Sequence, residues 1–177
     1  QIERFNLAKE GGFYFECIFI LYALMEDRLS SFLFHAGVTN STRIKITKNK
    51  KVKPELAQII EWDEETEYNL RNISDKIYLA QQIFNWSKTC IVDDTSNQYA
   101  VILWEQIGKT QRLEQMIELM DEIDLWRSAR NDLVHALLNR NTEGMEEKLK
   151  ALTEEGERHW RNFNTFMNAF TRNNPIR

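Results

Sequence analysis

The chain has few of the residues that interrupt regular structure, with two prolines and six glycines among 177 residues. That scarcity excludes collagen-like repeats and argues against an all-β chain built on tight turns. Cysteine is scarce as well. Cys17 and Cys90 lie in apolar surroundings and form no Cys-x-x-Cys pair, so the sequence carries neither a disulfide framework nor a zinc-binding spacing. A reducing, cytoplasmic setting is the expectation from that usage. Long hydrophobic runs are missing too. The longest charge-free apolar stretch, Cys17 to Met25, is bounded by Glu16 and Glu26 and falls well short of the roughly 18 residues of a membrane span. No membrane partner is expected. Sequons at Asn40, Asn72 and Asn85 are read as coincidence, because the pattern is short and two of the three fall in predicted helices.

What is present is a hydrophobic fraction of 42%, enough for one sizeable core in a chain of this length but hardly for two. A single domain over residues 1–177 is expected. Gly11 and Gly12 precede a long apolar and aromatic segment, Phe13 to Ala36, which predicts a helix closed by Gly37 as its C-terminal glycine. Pro54 suits a first helical turn, and helical composition continues to Lys88 with a break predicted near Asn72 to Ser74. A shorter helix is expected from Tyr99 to Gln106, with Gly108 as a breaker. From Gln111 to Leu138, apolar residues recur at three and four, and Glu143 to Thr171 forms a last amphipathic segment. The expected fold is all-α, an antiparallel bundle of four to five long helices with short connections.

Within the penultimate helix lies Arg130-Asn131-Asp132-Leu133-Val134-His135. At about 100° per residue, Leu125, Trp126, Ala129, Leu133, Ala136 and Leu137 fall on one stripe, while Asp124, Arg127, Ser128, Asn131 and His135 share the other face. Asn131 and His135 are i, i+4 neighbours, and Arg130 sits at the stripe's edge, where its long stem can reach towards them. Three hydrogen-bonding groups are thereby expected to converge on one ligand. Tyr22 and Glu26 stack in the same way on the first long helix. They are read as a buried tyrosine and a paired charge rather than as an acidic helper.

At these residues the sequence resembles the HEPN superfamily, helical domains whose ribonuclease members carry Arg, four to six residues, then His, commonly with a polar residue directly after the Arg. Arg130-Asn131-x-x-x-His135 has that form, in a late helix of a helical chain, and also resembles the motif in the HEPN domains of RNA-guided CRISPR RNases. The resemblance implies a metal-independent endoribonuclease of the toxin or antiphage-defence type, with no cofactor and no metal. It implies Arg130, Asn131 and His135 as the catalytic set, and a homodimer in which two copies of the motif face one cleft. RNA is then the substrate, and an antitoxin or regulatory protein is a further expected partner. In toxin relatives the second residue after the His is a Tyr that a nucleotidyltransferase modifies. Here it is Leu137, so regulation of that kind is not expected.

The chemistry suits those side chains. When the 2′-OH attacks the adjacent phosphorus, one proton must leave the nucleophile and another must reach the departing 5′-oxygen. Imidazole titrates near neutral pH and can serve either transfer. A guanidinium offers permanent charge and forked donors to phosphate oxygens. Asn131 is expected to orient His135 or the phosphate.

A net charge of −4 does not suit generic nucleic-acid binding, but its distribution is uneven. Arg43, Lys45, Lys48, Lys50, Lys51 and Lys53 put six positive charges into 11 residues without an acid, which leaves −10 on the other 166. This segment is the expected nucleic-acid-binding surface. Trp160, beside Arg158 and Arg161, is read as core because Phe163, Phe166, Met167 and Phe170 continue its stripe. Gly108-Lys109-Thr110 is not a phosphate-binding loop, since Leu103 stands where such a loop requires glycine. His35, His135 and His159 have no metal-ligand spacing. The competing expectation is a non-catalytic helical HEPN-like module that binds nucleotide or a protein partner, and the acids from Glu61 to Glu67 support it.

Overall fold

The computed structural model describes residues 1–38, 70–91, 98–138 and 144–172, and these are helical with no strand among them. Six helices are described: α1 (Ile2–Glu10), α2 (Tyr14–His35), α3 (Ile73–Thr89), α4 (Gln98–Gly108), α5 (Leu113–Leu138) and α6 (Met145–Arg172). The basic segment Arg43, Lys45, Lys48, Lys50, Lys51 and Lys53, and the helix expected from Pro54, lie outside the described residues. None of the described helices is long and apolar enough to cross a membrane.

Local sequence accounts for the helix ends. At the end of α2, Gly37 takes φ +81°, a left-handed conformation that costs glycine little. The Gly37 N–H then donates to Phe34 O and the Val38 N–H to Leu33 O, which satisfies carbonyls the helix would otherwise leave bare. The short α1 was not expected from periodicity, because nine residues give too few turns to show a stripe. Its signal is Phe5 and Ala8, spaced by three and both buried, with Glu3 in the first turn and Lys9 in the last.

The core lies between α2, α3, α5 and α6. Phe32 of α2 stacks on Phe84 of α3 at 4.8 Å between ring centroids, and Phe166 and Phe170 of α6 close around the pair at 5.3–5.9 Å from their nearest partners. These rings are fully buried. Each contributes roughly 1.5–3 kcal/mol by leaving water, and such ring pairs add about 0.5–1.5 kcal/mol beyond that.

Contacts at the two ends of each helix set the directions. Tyr14 O accepts from Thr153 Oγ1, while Phe32 meets Phe163 and Phe170, so α2 and α6 run in the same sense. Lys76 meets Glu26 where Phe84 meets Phe32, so α3 runs with α2. Against them runs α5: Gln81 donates to Asp121 and Lys88 to Glu114 from α3, and the Trp126 indole N–H donates to Leu152 O of α6. Antiparallel neighbours are thus the pairs α3/α5 and α5/α6, whereas α2 and α3 are parallel and are separated in sequence by residues outside the described set. At one end α4 closes the core, with Tyr99 donating to Ala36 O and the buried Gln106 to Phe170 O. At the other end lies α1, held by Arg4–Glu16 and Lys9–Glu157.

Candidate functional site

The wheel drawn for α5 holds in part. Met116, Met120, Ile123, Trp126 and Leu133 are buried, but Leu125 is 71% exposed and Ala129 is exposed too. The buried stripe is narrower than the one expected, because α3 and α6 cover only the side on which Trp126 points. That leaves Arg130, beside the exposed Ala129, next to α2. Its guanidinium carbon stands 4.6 Å from the ring centroid of Phe19 and 4.6 Å from that of Tyr22. Those two residues are spaced by three on α2, so one helix presents both ring faces to a single cation.

Asn131 completes the hold on the arginine. Its Oδ1 accepts from Arg130 Nη1 at 3.0 Å, so it engages the guanidinium rather than His135. The arginine keeps donors that the fold does not use. Arg130 Nε is buried without a hydrogen-bond partner, and no carboxylate pairs with this side chain among the described residues. Arg127, one turn earlier, differs: its Nε donates to Asp124 at 2.7 Å and its Nη2 to Ser128 Oγ at 3.3 Å. Of the two neighbouring arginines, Arg130 is the one with no carboxylate partner among the described residues.

His135 is exposed at the end of the same polar face. It follows Arg130 by a rise of about 7.5 Å and a turn of about 140° along the helix. No hydrogen bond joins it to Asn131 or Arg130 among the described residues. Arg130 and Asn131 therefore meet, and His135 stands apart from both.

Around them, Tyr22 has its hydroxyl pushed above its ordinary pKa by burial and by Glu26, against the opposing pull of Arg130 and Arg127. Glu26 is no acidic helper here. It pairs at 2.7 Å with Lys76, whose side chain is 4% exposed. Such a buried ammonium requires a counter-ion, which ties the carboxylate to structure.

The remaining candidates resolve by burial. Trp160 and His159 lie in the core, so neither reads a base at the surface. Cys17 is fully buried with its Sγ 3.9 Å from Phe5 O, and burial raises the pKa of both Cys17 and Cys90, which suppresses the thiolate a nucleophile requires. No group of three or more His, Cys, Asp or Glu that could hold a metal ion occurs among the described residues. A shallow cleft of about 310 Å³ between α1 and α6 is lined by Lys9, Glu154, Glu157, Arg158, Arg161 and Asn162, with none of the motif residues in its wall.

The aromatic partners of Arg130 were not legible as part of a site. Phe15, Phe19 and Tyr22 are spaced i, i+4, i+7, which in a sequence reads as core. Only the exposure of Phe15 and Phe19, 42% each, separates them from it.

No protein-family model, curated protein or solved structure matches this chain.

Proposed function

We propose that the chain is a HEPN-like helical domain of four to five long helices acting as a metal-independent endoribonuclease of the toxin or antiphage-defence type. One observation carries the proposal: Arg130 is braced by two aromatic faces and Asn131 and has no carboxylate partner among the described residues, on the helix that also exposes His135. A guanidinium held in place by two rings and an amide, with no carboxylate of the described residues neutralising it, is suited to an anion that arrives later.

In this reading a phosphodiester oxygen accepts from Arg130. The RNA 2′-oxygen forms a bond to phosphorus, its proton passes to an imidazole, the bond from phosphorus to the 5′-oxygen breaks, and that oxygen takes up a proton. The products end in 2′,3′-cyclic phosphate and 5′-hydroxyl. One imidazole serves one transfer at a time. The separation of Arg130 from His135 along the helix suits a homodimer in which the second copy's motif faces the first across a shared cleft. The basic segment from Arg43 to Lys53 then tracks the RNA backbone, in a cytoplasmic setting and under the restraint of an antitoxin or regulatory protein.

The test is cleavage of single-stranded RNA in EDTA by the wild type and by Arg130→Ala and His135→Ala variants. Cutting with cyclic-phosphate ends, lost in both variants, supports the proposal; variants that cut as fast as wild type overturn it. The second reading, a non-catalytic module for nucleotide or a protein partner, is favoured by one feature, that no hydrogen bond orients the His135 imidazole among the described residues. It predicts no cleavage by the wild type. Under the nuclease reading, RNA binding is steeply salt-dependent and is weakened by charge reversal at Lys48, Lys50 and Lys51.

A further inference from the structure

Phe15 and Phe19 are large rings left half in water on a helix whose other face is core. Their centroids are 4.9 Å apart at an interplanar angle of 70°, and the Phe19 ring also carries the Arg130 guanidinium. Each is 42% exposed. With a ring residue offering about 150–250 Å² in full, the pair presents roughly 150–200 Å² to solvent, far below the roughly 800 Å² per partner that a stable protein interface buries. The area suits one or two planar bases instead.

We infer that Phe15 and Phe19 form a stacking platform for an unpaired base of single-stranded RNA, placed beside the phosphate held by Arg130. The inference rests on the reading of Arg130 as a phosphate-binding group, and it adds the surface that would recognise an unpaired base. Three features on one surface favour this occupant. An aromatic ring offers a π-face that any base can stack on, and the neighbouring cation is without a carboxylate partner among the described residues. The nearest acid on the same turn of α2, Glu16, is already taken by Arg4, at 2.6 Å. A base in a duplex keeps its faces covered by its neighbours, so the platform selects single strands, loops and ends.

Phe15 is the position to test, because Phe19 also braces Arg130 and its loss would disturb both. The host is the full chain carrying His135→Ala, so that binding is read without cleavage, and the probe is a single-stranded RNA oligonucleotide containing 2-aminopurine. The expected result is quenching of the fluorophore on binding. Adding Phe15→Ala should remove the quenching and weaken affinity by about 5- to 100-fold, while Phe15→Trp retains both and a duplex of the same sequence binds weakly. An unchanged thermal midpoint for Phe15→Ala separates this from a folding defect. Equal affinity and equal quenching with and without Phe15 would overturn the platform, as would a Phe15→Ala variant whose oligomeric state changes while its RNA affinity does not, since the patch would then be a protein contact. Should the wild type stack the probe but cut no RNA, the nuclease reading fails and the platform stands. Should it cut RNA while Phe15→Ala behaves as its parent, only the platform fails.

Discussion

His135 and His159 belong to the antiparallel neighbours α5 and α6, and their surroundings are opposite. The imidazole of His135 is exposed on α5, one turn beyond Asn131. His159 is fully buried in the seam between α5 and α6, with Nδ1 3.2 Å from Glu122 Oε2 and Nε2 3.5 Å from Glu155 Oε1, neither aligned as a hydrogen bond. Burial pulls the pKa of His159 below its ordinary value, although Glu155 and Glu122 draw it the other way. One residue type thus serves as a solvent-facing group on one side of a helix pair and as a neutral space-filler on the other. What separates them is how closely the helices approach. Gly156 lets the Trp126 ring come so near that a Cβ at that position would lie 2.7 Å from it, and one turn further on that close seam seals His159. Where Arg130 of α5 reaches α2, rings and a cation are in contact instead, and Phe19 stays partly exposed.

The largest way to break this contrast is at the open edge. Arg130→Ala should lower RNA cleavage by about 10²–10³-fold and cost no more stability than its two ring contacts are worth, about 1–2 kcal/mol, read by single-turnover kinetics beside a melting curve. A variant that unfolds instead would show the arginine to be structural. The sealed seam should respond the other way. Gly156→Ala forces the buried Trp126 ring aside, an overpacking cost of about 1–3 kcal/mol, of which better helix propensity returns up to about 1 kcal/mol. Urea unfolding should show that net loss, and intact stability would mean that the seam has room to adjust.

A smaller and more diagnostic effect is the pH dependence of stability. Since the folded pKa of His159 is below the unfolded value of about 6.5, the unfolded chain takes up the proton first. Its contribution is therefore complete above pH about 6.5 and is lost as pH falls from there towards the folded pKa. His159→Gln should flatten this segment of the melting profile. At lower pH a separate loss is expected from Glu157. Burial works to raise its pKa, but Lys9 and Arg161 outweigh burial and hold it below the usual carboxylate range, so its stabilisation is lost as pH falls through that lowered value. The smallest effect belongs to the exposed pair Lys88–Glu114. Lys88→Ala should change stability by no more than about 0.5 kcal/mol, and a larger change would place that pair in a network.

Much of the helical framework was legible residue by residue. The apolar spacing of α6 marks its core face and Gly37 marks the end of α2, each because a local backbone or periodic rule acts within a few residues. The candidate site was legible in half. Arg130, Asn131 and His135 are close in sequence, so their motif and their shared helix can be read directly, but the ring faces that grip the guanidinium come from residues more than a hundred positions away. Leu125 and Ala129 failed as core for the same reason. A helical wheel gives the angle at which a side chain leaves the axis and says nothing about whether another helix stands there.

By itself, then, the sequence determined that this chain is helical, where several of its helices end, and that an arginine, an asparagine and a histidine share one of them. Only tertiary structure decided which histidine is buried and which meets water, and which arginine is consumed by a neighbouring acid and which is braced by rings with no acid beside it among the described residues. The physical reason is that helix formation depends on contacts three and four residues apart, whereas burial and electrostatic pairing depend on which surfaces distant segments bring together.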